Sequence, residues 1–126
     1  MKEIINTANA PQPIGPYSQA IMANDILFIS GQIAIDPKTG NLLNQNIEEE
    51  TTQVMNNIKA ILEEANMTFS HVVKSTIFVK DLNHFAAINH IYAQYFPVEP
   101  PARETVEVAR LPKDANVEIS CIAVRL

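Results

Sequence analysis

The segment 116–124, "NVEISCIAV", constrains the fold more than any other stretch of the chain, because it is apolar on both sides of an extended backbone. Val117, Ile119, Cys121 and Ala123 alternate to one side, and Ile122 and Val124 to the other. Successive side chains of a strand point to opposite faces, so such a strand has to be covered twice. The stretch 46–66, "NIEEETTQVMNNIKAILEEAN", offers one cover: Ile47, Thr51, Val54, Met55, Ile58, Ile61, Leu62 and Ala65 recur at helical spacing. Asn46 with Glu49 resembles a capping box, and Glu48 to Glu50 suit the positive end of the helix dipole. A second helix is expected from about Leu82, behind Asp81, with Phe85, Ile88, Tyr92 and Phe96 on its inner face and Pro97 as its stop. Two helices can cover only one face of the sheet they flank. The other face needs a partner, and a second copy of the chain is the simplest one.

Further strands are expected in "YSQAIMA", "ILFISGQIAI", "VVKSTIFV" and "ETVEVAR", with a turn at "DPKTG" and a short extra strand at "KEIINT". The order is ββαβαββ, an α+β sheet with two helices on one face. The 126 residues contain no repeat and no linker, which predicts a single domain over 1–126. No apolar run approaches the roughly 18 residues of a membrane span, and "MKEIINTANAPQP" lacks the apolar core of a signal peptide. A soluble, cytoplasmic protein is expected. Cys121 is the one cysteine and reads as a buried structural thiol, which fits a reducing compartment. Fourteen acids against nine bases give a net charge of −5 without any basic cluster, so phosphate backbones would be repelled and nucleic acid is not an expected partner.

Several familiar chemistries find no signature. With only Gly15, Gly31 and Gly40 the chain can build neither a dinucleotide fingerprint nor a P-loop. His84 and His90 fall on different sides of the second helix and His71 stands alone, so no metal is expected, and no other cofactor is implied. Ser30, in "ISGQ", lacks a nucleophile elbow and reads as a hydroxyl donor or a strand-end serine.

Arg103 and Glu118 stand apart from this. In "PPARETVEV" two prolines stiffen the chain just before Arg103. Because "LPKDA" joins the last two strands, the chain is expected to double back and bring Glu118 toward the start of the strand that follows Arg103. A carboxylate between Val117 and Ile119 is costly unless it faces solvent, a cation or a cleft. A solvated strand face accounts for it without function. The functional reading makes Arg103 a bidentate clamp for a substrate carboxylate and Glu118 a general base.

The segments "GPYSQA" at 15–20, "SGQIAIDPKTG" at 30–40, "NNIKAILEEA" at 56–65, "VVKSTIFVKDLNHFAAIN" at 72–89 and "PARETVEVARLPKDANVEI" at 101–119 resemble, in the same order, the reactive intermediate deaminase or RidA-like family. The resemblance implies a chorismate-mutase-like α+β fold and a homotrimer with clefts between subunits. The implied reaction is cofactor-free hydrolysis of 2-imino acids and their enamine tautomers to 2-keto acids and ammonia. It places Arg103 on the carboxylate-binding arginine, Glu118 on the water-activating glutamate and Tyr17 on the cleft tyrosine, with Ser30, Gly31 and Asn89 lining the same pocket. The family often has cysteine two residues after the arginine, where this chain has Thr105 behind Glu104. If that position contributes backbone groups to the substrate, Thr105 can serve, and Glu104 could retune substrate preference. Two other readings compete: a trimer that binds small carboxylates as a metabolic sensor without turnover, and a ribonuclease, which the acidic composition disfavours.

Overall fold

A computed structural model describes all of residues 1–126. Its strands are β1 (Lys2–Ile5), β2 (Ala20–Ala23), β3 (Ile26–Gln32), β4 (Val72–Val79), β5 (Ala102–Glu107) and β6 (Val117–Val124), and its helices are α1 (Ile47–Glu64) and α2 (Phe85–Ala93). One six-stranded mixed sheet has the order β1-β2-β3-β6-β4-β5. The doubly apolar β6 lies between β3 and β4, antiparallel to both, as far from an edge as its composition demands. β5 runs parallel to β4 at the edge, the two being joined through α2.

Both helices pack on one face. Val117, Ile119, Cys121 and Ala123 of β6 join Leu27, Ile29, Ile77 and Val79 beneath Val54, Met55, Ile58, Ile61 and Leu62 of α1 and Ile88 and Tyr92 of α2. The opposite face has no such cover. Across it run Ile4, Ile21, Phe28 and Ile122 in register, followed by Lys74. Ile4 remains 64% exposed and Phe28 46% exposed, which leaves an apolar stripe in contact with water.

The α1 start matches the sequence reading, since Asn46 Oδ1 accepts the Glu49 N–H at 2.7 Å. Four elements differ in their boundaries. β2 begins only at Ala20, because Tyr17 and Ser18 belong to a loop, and β3 ends at Gln32. β5 begins at Ala102 and ends at Glu107, before Arg110. α2 is preceded by a 3-10 turn over Leu82–His84, where Asp81 Oδ1 accepts the Asn83 N–H, and it ends at Ala93, before the proline. The larger correction is topological: β5 and β6 are not neighbours, because β4 lies between them. A parallel β4–β5 pair puts β5 at the edge beyond β4, away from β6.

Candidate active site

Glu118 lies on the face of β6 that no helix covers, opposite Phe78 of β4. With Tyr17, Gly31, Gln32, Pro112 and Lys113 it lines a cleft roofed by the loop that carries Pro11 and Ile14. Burial alone pushes its carboxyl above the ordinary value of 4.5, which makes it a stronger base than an exposed glutamate. Gly31 is what lets it sit there: a Cβ at this position would come within 2.3 Å of Glu118 Oε2 and 2.8 Å of its Cδ. The roof is held by Gln19, buried to 1% exposure, whose Oε1 accepts the Thr7 N–H at 2.8 Å while Nε2 donates to the carbonyls of Thr7, Ala10 and Pro11. Ser30 fastens the same loop, donating its hydroxyl to the Ser18 carbonyl at 2.6 Å.

The turn that delivers Glu118 is strained and clamped. Lys113 and Asp114 have φ of 56° and 55°, a left-handed pair of non-glycine residues that costs on the order of 1–3 kcal/mol each unless the surroundings enforce it. Two contacts do so. Lys80 Nζ meets Asp114 Oδ1 at 2.7 Å. Glu50, fully buried in the first turn of α1, accepts the Asn116 N–H at 2.7 Å and Asn116 Nδ2–H at 2.8 Å. The carboxylate thus fixes the residue that enters β6 just ahead of Glu118.

Arg103 occupies different ground. In β5 it is aligned with Ser75 of β4 and shares its helix-side face with Thr105, which is aligned with the buried Ile77. Its guanidinium lies over two rings of α2, 5.0 Å from the centre of Tyr92 and 5.7 Å from that of Phe85. Neither ion pair of the chain involves it, these being Lys74–Glu104 and Lys80–Asp114. Asn89 is half-buried on the same helical stripe as Phe85 and Tyr92. Nearby, the Tyr92 hydroxyl and Thr105 Oγ1 are buried without hydrogen-bond partners. Burial raises the Tyr92 phenol above its ordinary value, against smaller opposing pulls from the Ser75 hydroxyl and Arg103.

Within one chain the sheet therefore separates the two residues that the sequence pairs. Tyr17, Gly31 and Glu118 share the cleft on the open face. Arg103 and Thr105 belong to the helix side at the edge strand, so Glu118 is not brought toward the start of β5. Ser30 and Asn89 do not line the Glu118 cleft. Glu104 points away from Arg103, toward the open face, where its carboxylate meets Lys74 Nζ at 3.0 Å and accepts the Thr76 hydroxyl at 2.6 Å. It cannot retune a pocket around Arg103 of its own chain. Cys121 is a buried thiol whose pKa is pushed up to about 11, mainly by burial.

Sequence reasoning missed the roles of four residues. Glu50 was legible, since it falls on the apolar stripe of Ile47, Thr51 and Val54 and not on the exposed side where dipole compensation would suffice. Gln19 and the aromatic partners of Arg103 carried no such mark. Phe85 in particular reads as core, yet it is 41% exposed and spends its inner ring face on Arg103.

Residues 7–125 match the family described as Endoribonuclease L-PSP. The chain is 57% identical to a RutC family protein of Pyrococcus horikoshii over 98% of both chains. It is 46% identical to the 2-iminobutanoate/2-iminopropanoate deaminase of Capra hircus, covering 99% of this chain and 91% of that protein. Among solved structures, E. coli TdcF with bound serine superposes with a TM-score of 0.95 at 41% identity, covering 98% of this chain and 99% of that one.

Proposed function

Because the chain belongs to the Endoribonuclease L-PSP family, in which relatives at 46% identity are named deaminases, we propose that it hydrolyses 2-imino acids to 2-keto acids and ammonia at sites shared between copies of the chain. The observation that carries the reading is the half-buried Glu118, raised in basicity by burial and set in a cleft opened for it by Gly31. Glu118 takes a proton from water as the oxygen adds to C2 of the imine. The imine enters protonated, so this addition gives a neutral carbinolamine; Glu118 returns its proton to nitrogen, and ammonia leaves as the hydroxyl proton passes to Glu118 and the C2–O double bond forms. An imine carbon is already electrophilic, so a positioned water and base suffice, and general-base assistance contributes about 10² to 10⁴ in rate.

Arg103 supplies the carboxylate handle. Its five N–H donors face no acid of its own chain, so the planar fork is free for a bidentate substrate contact. Since Arg103 and Glu118 lie on opposite sides of one sheet, the proposal needs Arg103 from one protomer and Glu118 from the next. The uncovered apolar stripe supplies the reason for assembly, and a closed ring of heterologous contacts, a trimer, satisfies both demands. Serine bound to the TdcF relative is consistent with a site for small amino-acid-derived carboxylates. The endoribonuclease name of the family finds no support in this chain's charge of −5.

Mixing two inactive variants tests the arrangement. Arg103→Ala and Glu118→Gln, each dead alone, should recover activity when unfolded and refolded together, because about one site in four then receives both intact halves by chance. Ammonia release from freshly generated 2-aminoacrylate is the readout. Silence from a co-assembled mixture would refute sites shared between chains.

A further inference from the structure

We infer that Tyr92 and Phe85 form an aromatic grip that positions Arg103 for its substrate, and that the ring of Tyr92, not its hydroxyl, performs the task; this rests on the reading of Arg103 as the carboxylate clamp. An arginine that must bind a carboxylate needs two properties that conflict. It has to be immobile, and it has to keep its N–H donors unspent. Most buried arginines are held by an acid, which uses the fork and neutralises the charge. Arg103 has no acid partner. Its contacts are instead to two ring faces at 5.0 Å and 5.7 Å, which hold the guanidinium without offering its N–H donors an oxygen acceptor.

The grip is built into the strand that carries the arginine. Glu107, further along β5, accepts the Leu82 N–H at 2.9 Å and so ties the entry of α2 to Arg103's own strand. Phe85 opens that helix and Tyr92 follows on the same stripe, with Tyr92 fixed in the core against Phe96 at 4.7 Å between ring centres. The Tyr92 hydroxyl makes no hydrogen bond although it is buried, so the contact with Arg103 does not depend on it.

Tyr92→Leu, Tyr92→Phe, Phe85→Leu and Arg103→Ala should be compared for kcat and KM with 2-iminobutanoate and for 2-ketobutanoate affinity by calorimetry. Tyr92→Leu is expected to raise KM and the keto-acid Kd by about tenfold with kcat within about twofold of the parent. Tyr92→Phe should restore both. Phe85→Leu, at an exposed position where folding is not at risk, should show the same split at about threefold, and it decides the matter if Tyr92→Leu does not fold. Unchanged binding in folded Tyr92→Leu and Phe85→Leu, with binding lost in Arg103→Ala, would overturn the grip while leaving the clamp intact. Unchanged binding in Arg103→Ala would overturn the clamp itself. Equal loss in Tyr92→Phe and Tyr92→Leu would assign the role to the hydroxyl and also refute the inference.

Discussion

The Glu118 cleft and the Arg103 ledge solve opposite problems with different materials. Glu118 is fixed through backbone: a left-handed turn, a buried carboxylate on Asn116 and a missing Cβ at residue 31. Arg103 is fixed through aromatic faces on a neighbouring helix. A base must be partly desolvated to become basic, which a tight cleft achieves by burial. A clamp must stay fully charged and hydrogen-bond-competent, which aromatic contacts allow and an acid partner would prevent. In the proposed site, one half is therefore tuned by exclusion of water, the other by the choice of neighbours.

Removing the base breaks this comparison most severely. Glu118→Gln keeps the shape and loses the basic lone pair, so kcat should fall by about 10² or more while 2-keto acid affinity is retained or tightened. The same variant should be at least as stable as the parent at pH 7. A carboxyl whose pKa is raised in the folded state adds stability that is complete below 4.5 and lost as pH rises through the folded value, so the difference in Tm should vanish below that ordinary pKa. By the same sign, kcat/KM of the parent should fall as pH drops through the raised value, because the base is then protonated. Turnover at the parental rate in folded, oligomeric Glu118→Gln would remove it from the mechanism.

Arg103→Lys comes next. It keeps the charge but replaces a planar fork with a flexible point donor, and kcat/KM should drop by about 10 to 10². Near-parental kcat/KM would show that charge alone suffices, and the contrast between the halves would collapse. Gly31→Ala should lower activity by about tenfold with little change in Tm, because the added Cβ meets the movable end of Glu118 and not the backbone. A large loss of stability with activity preserved would mean that Gly31 serves the fold and not the cleft. Thr105→Cys should shift kcat/KM by less than about tenfold, or 1.4 kcal/mol in the barrier. A gain of several orders of magnitude would mean that a thiol belongs beside the clamp and that the threonine makes the native chain a weak enzyme or a sensor.

Much of this was decided by sequence alone, and for local reasons. The alternation in 116–124 required a central strand, and β6 is that strand, with its helix-side face covered within the chain and its other face left open. The stripe of α1 and its Asn46 cap follow from helical period and side-chain reach, which involve only near neighbours. The stiffened Arg103 and the anomalous carboxylate at 118 were conspicuous because each violates its local setting. What the sequence could not decide was which strand lies beside which. The "LPKDA" connection suggested that the chain doubles back to bring Glu118 near the start of the preceding strand, but the parallel pairing of β4 and β5 through α2 placed β4 between β5 and β6 and set Arg103 and Glu118 on opposite sides of the sheet. Glu50 reaches Asn116 across 66 positions, and Arg103 meets Tyr92 and Phe85 only because β5 docks beside β4 under α2. Pairing between distant segments depends on the summed burial of whole faces, a property that no local pattern contains, and it is this summed burial that sets Arg103 and Glu118 on opposite sides of the sheet.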